Sequence, residues 1–339
     1  MRISPEALVA AQNQAAVRRI VRMVVERHHS CDIDVDGRIQ KVMLSHLSHP
    51  AVVAAAHALQ RATRSGKPSS HDQATLADQL RHAAACAVRS GQRVSSSAGL
   101  WVSVDLAEPE SHLRESLARA LAVIPAPHRS RGGDDQELAD SEVTCWRDND
   151  RAVFCEAVDL LHAAWPPMLA ELQQIIYQVA LLRGKAIDGF TDFAVHGAVM
   201  INQARLVAGD TGLSGAVRLA EALVHEGTHT CCNAAAVGRP FLRPANGDGE
   251  LVQTPLRADP RPLTGLFQQL VVLVRSALLY QRLPGANNPA HRARRHKLIG
   301  QAHQGVETLA RHAEALTGPG QEILAEARAL LDGELIGAC

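Results

Sequence analysis

Apolar positions recur at helical spacing from the start of the chain. Leu8, Val9, Ala16, Val17, Ile20 and Val24 place one apolar face on a helix over 5–29. The stretches 49–64 and 72–90, rich in Ala, Leu, Arg and Gln, read the same way. Val94 to Leu106, with Trp101, Val102 and Val104, predicts a short strand. A polar stretch at 124–140, from Ile124-Pro125-Ala126-Pro127 through Gly132-Gly133-Asp134-Asp135, marks a linker or loop. Trp165 to Leu182 then reads as a helix with Pro166 and Pro167 in its first turn, where proline is tolerated. Val195, Gly197, Val199 and Ile201 alternate, so 195–202 is expected to be a strand. After the turn Gly209-Asp210-Thr211-Gly212, Ser214 caps a helix running to about Val237. A Pro- and Gly-rich loop at 238–262 leads to a long helix at 263–283, ended by Pro284-Gly285, and two helices near 288–316 and 319–333 close the chain.

The pattern predicts a mainly α (α+β) fold with a small sheet beside the 214–237 helix, and shows no internal repeat. It divides at the loop into an N-terminal helical region, 1–128, and a second region, 140–335, which together form either two domains or one continuous domain.

Composition narrows the function. The 339 residues are 46% hydrophobic and 21% charged, a globular profile. Lys plus Arg (35) balance Asp plus Glu (35), so no global field draws the chain to nucleic acid or an anionic membrane. Aromatics at 3% leave little stacking surface for single strands. The most apolar stretch, Leu263 to Tyr280, is interrupted by Gln268, Gln269 and Arg275, and the N-terminus lacks a signal-peptide pattern. The seven cysteines, Cys31, Cys86, Cys145, Cys155, Cys231, Cys232 and Cys339, are odd in number and irregular in spacing. They read as reduced thiols of a cytoplasmic protein.

The chemistry concentrates in His225-Glu226-Gly227-Thr228-His229, in the middle of the 214–237 helix. Residues four apart lie on one helical face, so both imidazoles can reach one divalent ion. Glu226 stands beside them, able to orient or deprotonate a metal-bound group, and is the candidate catalytic residue. Val217, Ala220, Leu223 and Val224 supply the apolar face that would anchor the helix. A zinc peptidase is one reading, but it needs a third ligand. The positions where a downstream Gly and His would stand hold Cys232 and Ala235, and the helix at 263–283 carries no Asp, Glu or His. Cys232, seven residues from His225, lies roughly 10.5 Å along the axis, too far to share the ion, so Cys231 and Cys232 read as packed small residues. Asp248 and Glu250 in the loop are open alternatives. The 263–283 helix instead offers Gln268 and, seven residues on, Arg275, a pairing suited to an anionic ligand, though a structural ion pair is the competing role for Arg275.

The run Leu219-Ala-Glu-Ala-Leu-Val-His-Glu-Gly-Thr-His229, then Thr254-Pro-Leu-Arg-Ala-Asp-Pro-Arg-Pro-Leu-Thr-Gly-Leu-Phe-Gln268, then the apolar helix with Arg275, resembles the HExxH-motif peptide-modification family of ribosomal peptide biosynthesis. The resemblance spans about 150–285, and Arg257-Ala-Asp259-Pro-Arg261-Pro is its most specific part beyond the motif. It implies Fe(II), 2-oxoglutarate as cosubstrate, and hydroxylation of a β-carbon in a precursor peptide. Residue by residue it implies His225 and His229 as iron ligands, Gln268 as a third metal-facing position, and Arg275 or Arg261 for the distal carboxylate of 2-oxoglutarate. Members carry Gln or His at the position of Gln268; Gln would be the weaker ligand, and an inactive peptide-binding relative is then a third reading. The 195–202 strand is either a free sheet edge for an extended peptide or an interior strand. The basic run His291-Arg-Ala-Arg-Arg-His-Lys297 reads as a solvated face. His28-His29 and His46/His49 lack a carboxylate pattern and read as surface histidines.

Overall fold

The computed structural model describes residues 1–27, 37–64, 70–89, 104–124, 140–244, 251–252 and 260–333. Eleven α-helices and a small mixed sheet are found among them, so the fold is mainly α with a minor β component. The chain forms two compact units. One holds Met1–Asn13, Glu156–Gln174 and Val207–Cys339, and the other Gln14–Cys155 and Ile175–Leu206. This division runs across the expected split into 1–128 and 140–335, because the strands at 175–206 group with the N-terminal helices and the first thirteen residues group with the C-terminal ones.

The second unit, here the sheet unit, contains most of α1 (Ala7–Glu26), then α2 (Gly37–Ser45), α3 (Pro50–Arg64), α4 (Ser70–Arg89), β1 (Asp105–Ala107), α5 (Ser111–Ala122) and β2 (Ser141–Thr144). The chain continues through α6 (Asp148–Ala164) and α7 (Pro166–Ile175) before returning as β3 (Gln178–Gly184), β4 (Gly189–Thr191) and β5 (Ala198–Asn202). β3 is central. One side pairs parallel with β5, while the other pairs with β1 in parallel over its first half and with β2 antiparallel over its second. β4 pairs antiparallel with the far side of β5.

Two corrections follow. The helix expected at 165–182 ends at Ile175, and its last third is β3. Val179, Ala180, Leu181 and Leu182 are all fully buried, so this strand is a continuous apolar run, without the alternation that separates a strand from a buried helix. The strand expected at 195–202 begins at Ala198 after a 3-10 turn at Phe193–Val195. It lies between β3 and β4, so it is an interior strand and offers no edge to a peptide. Of the strand expected at 94–106, residues 94–103 lie outside the described residues; Asp105–Ala107 is β1. The core here packs Leu113 and Leu117 of α5 against Val143, Ala180, Leu182 and Met200 of the sheet.

The first unit is helical. It contains α7, α8 (Gly215–Gly238), a two-strand ladder of β6 (Leu251–Val252) with β7 (Arg261–Pro262), α9 (Leu263–Arg282), α10 (Pro289–Ala310) and α11 (Gly318–Asp332). Every residue from Leu270 to Tyr280 is buried, so α9 is enclosed on all sides as the central helix, and all of this stretch but Arg275, Ser276 and the Tyr280 hydroxyl is apolar. Among the described helices it alone is long and apolar enough to cross a membrane, and most of that apolar length is packed inside this core.

The sheet unit also buries a histidine. His196 is fully enclosed, with Nε2 2.8 Å from Gln14 Oε1. Burial, with His57 nearby, pushes its pKa down from 6.5 to about 4. A histidine with a depressed folded pKa stabilises the fold above its unfolded pKa, and that contribution is lost as pH falls toward the folded value. The stability difference between wild type and His196→Asn should therefore shrink between pH 6.5 and 4, by on the order of 3 kcal/mol. Urea unfolding at stepped pH measures it; a difference independent of pH would show that His196 is not held neutral.

Candidate metal centre

α8 carries the HExxH motif and begins where expected. The Ser214 side chain accepts from the Val217 amide at 3.4 Å. Leu219, Ala220, Leu223 and Val224 are fully buried, which fixes the helix's rotation. His225 and His229 then fall one turn apart, both half-buried, with ring centroids 5.2 Å apart and planes tilted by 59°. Glu226 is buried between them in sequence, and its carbonyl accepts from Thr230 Oγ1 at 3.0 Å.

α9 runs antiparallel beside α8: Gln268 meets His229 and Asn233, Arg275 meets Thr228, and Tyr280 meets Glu221. Gln268 was expected beside the metal as a ligand. Its side chain is instead engaged with two residues of α8. Gln268 Nε2 donates to Asn233 Oδ1 at 2.9 Å, which turns Oε1 toward the imidazole, 2.8 Å from His229 Nδ1. An amide oxygen only accepts, so Nδ1 carries the hydrogen and the His229 lone pair is at Nε2. This is how proteins orient histidines that bind metals through Nε2. Gln268 and Asn233 thus hold the His229 ring in one orientation, one helical turn from His225.

Arg275 does not fit the role expected of it. It is fully buried, and its guanidinium donates to Glu171 Oε1 at 2.6 Å, to the backbone oxygens of Ile3 and Arg2 at 2.9 Å each, and more distantly to Thr228 Oγ1 at 3.5 Å. Burial works against its charge, but the Glu171 carboxylate, together with Cys231 and Cys232 beside it, raises its pKa further. Glu171 also accepts from the Glu6 amide at 2.8 Å and from the Cys231 thiol at 3.0 Å. Arg275 is thus the structural ion pair, and its donors are directed at protein groups where a cosubstrate carboxylate would have to sit. Arg261 stands exposed on β7, immediately before α9. Asp248, Glu250 and the Arg257–Asp259 segment lie outside the described residues.

Cys231 and Cys232 are buried as expected, and burial holds both thiols well above their usual range. The basic run on α10 is not a uniformly solvated face. Arg294 pairs with Glu221, Arg295 is buried, and His291 packs edge-on against Tyr280 at 5.8 Å, while Arg292, His296 and Lys297 are exposed. His49, read as a surface histidine, is buried. Sequence reasoning missed Asn233 and Glu171; Asn233 follows His229 by one helical turn, a spacing that marks it as a neighbour, whereas nothing near Glu171 signals its partner. A cavity of about 400 Å³ lies in the sheet unit, lined by Arg18, Arg22, His46, Ser48, Asp105 and Tyr177, and no residue of the motif borders it.

Scanned against models of known protein families the chain matches none, and a search of curated proteins finds no similar sequence.

Two variants separate positioning from structure. Gln268→Leu should keep the fold but weaken metal binding about 10–100-fold, read by competition with a fluorescent chelator. Unchanged affinity would remove Gln268 from the site. Arg275→Met should destabilise by about 3–5 kcal/mol, because Glu171 is left charged and buried, and adding Glu171→Leu should restore part of the loss. A fully stable Arg275→Met would return Arg275 to the list of ligand-binding residues.

Proposed function

We propose that this chain is a metalloenzyme in which His225 and His229 hold one Fe(II) ion for the 2-oxoglutarate-dependent hydroxylation of a precursor peptide at a β-carbon. The metal half of the reading is carried by the His229–Gln268–Asn233 chain. A solvated histidine pair has no use for a fixed tautomer, whereas a ligand must present its lone pair in a fixed direction. The reaction class is supported by the resemblance of Leu219–His229 and Thr254–Gln268 to peptide-modifying enzymes with this motif. Iron bound there would supply the redox chemistry that couples oxidation of the cosubstrate to insertion of an oxygen atom.

The protein's own residues do the rest. The buried face of α8 holds both imidazoles one turn apart, and Gln268 keeps His229 from turning. Glu226, buried beside His225, positions whatever occupies the ion's remaining sites. With Arg275 committed to Glu171, Arg261 becomes the arginine for the distal carboxylate of 2-oxoglutarate, since an exposed guanidinium before α9 can form a bidentate pair. None of the thiols at Cys86, Cys145, Cys155, Cys231 and Cys232 is in a disulfide, which suits a reducing cytoplasm.

Iron-loaded protein given 2-oxoglutarate, oxygen and a peptide encoded beside its gene should form succinate and a product heavier by one oxygen atom. Arg261→Ala should raise the 2-oxoglutarate requirement by the equivalent of about 2–5 kcal/mol while sparing maximal turnover. Peptide cleavage by the zinc-loaded protein, abolished in Glu226→Gln, would replace this reading with a zinc peptidase, in which Glu226 is the general base. Peptide binding with neither reaction would leave an inactive binding protein.

A further inference from the structure

We propose a second metal site in the sheet unit, formed by His82, Cys86 and His112 and suited to zinc. It is independent of the HExxH pair and of the reaction assigned to it.

His82 and Cys86 are four residues apart on α4, so they project from one face, as the motif histidines do on α8. His112 opens α5 two residues after Glu110. One ligating atom from each of the three lies within 4.8 Å of the others, and His82 Nε2 is already 3.2 Å from Cys86 Sγ. Tetrahedral zinc with bonds of 2.0–2.3 Å separates its ligand atoms by about 3.3–3.8 Å, so closure requires a pairwise approach of about 1 Å or so. Cys86 and His112 are 1% and 4% exposed, and His82 is half-buried.

The second observation is the state of His112. Gln178 Nε2 donates to Asp105 Oδ2 at 3.1 Å and to Glu110 Oε2 at 3.3 Å, which directs Gln178 Oε1 at His112 Nε2, 2.9 Å away. Nε2 therefore carries the hydrogen and the lone pair is at Nδ1. Nδ1 is buried and has no hydrogen-bond partner among the described residues. A buried acceptor left this way is costly unless something binds it. His82 and His112 also line a cavity of about 30 Å³, together with Ser111, Gln79 and Glu115, which has the room to hold a water.

The surrounding charges are mixed. The Glu110 carboxylate is 3.5 Å from His112 Nε2, and burial together with Glu110 pushes the Cys86 thiol up to about 11 against the opposing pull of Arg89, whose Nη2 is 3.6 Å from Sγ, so the thiolate forms with the binding of the cation itself. Arg61 and Arg119 line the cavity. One soft thiolate with two imidazoles selects zinc or its cobalt substitute over the hard cations magnesium and calcium. Bound there, the ion ties α4 to the first turn of α5.

Cobalt(II) titration of the full chain, under a non-thiol reductant, tests this. The ligands proposed for the HExxH ion include no sulfur, so only the second site should give an intense near-ultraviolet thiolate-to-cobalt band. The band is expected in wild type and in the His225→Ala/His229→Ala double variant. It should vanish in Cys86→Ser, and His82→Gln should need at least 100-fold more cobalt to develop it. Absence of the band from wild type at saturating cobalt overturns the proposal whether or not the variants fold. A band that survives in folded Cys86→Ser also overturns it, assigning the signal to another cysteine.

Discussion

The buried pair of Arg275 and Glu171 is the constraint around which the helical unit is arranged. Two charges out of water are tolerated only when each is fully hydrogen-bonded, so every element that supplies a partner is fixed in place. Arg275 comes from α9 and Glu171 from α7. Thr228 and Cys231 reach in from α8, and the backbone of residues 2–6 closes the cage. Thr228 and Cys231 flank His229 in the chain, so the network under the motif also sets how α8 is rotated. A second charge cluster repeats the arrangement one end further along: Glu221 of α8 binds Tyr280 of α9 and Arg294 of α10. Between the two, the face of α8 that carries His225 and His229 has little freedom to turn.

Both histidine clusters depend on a glutamine. Gln268, held by Asn233, sets His229; Gln178, held by Asp105 and Glu110, sets His112. A single hydrogen bond of this kind contributes only about 1 kcal/mol to stability. Its larger effect is to fix which ring nitrogen bears the lone pair, and a metal reads that choice directly. A primary amide is suited to the task, because its donor end can be anchored while its acceptor end faces the ring.

The helices around the motif were legible because their signals are local. Ser214 as cap, the apolar spacing of Val217 to Val224 and the Pro284-Gly285 stop all give the observed limits to within a residue or two. β3 was not legible, since Val179 to Leu182 lack alternation and only the neighbours β1, β2 and β5 make them a strand. α6 went unread despite Asp148 and Asp150 in its first turn, a signal the sequence does contain. The role of Arg275 was legible only as a choice between a ligand and an ion pair. Glu171, its partner, lies 104 residues away, and no local pattern reports such a contact. The HAAAC spacing of His82 and Cys86 was visible in principle, but His112 joins them only through the packing of α5 on the sheet.

The central claim is that His225 and His229 together hold one catalytic metal ion. Metal analysis of protein purified without oxygen and loaded with Fe(II), with the sheet-unit site disabled by Cys86→Ser, tests it most directly. One iron per chain is expected, falling to none when His225 and His229 are both alanine while the circular dichroism of the fold persists. Retention of one iron by that folded variant would contradict the account.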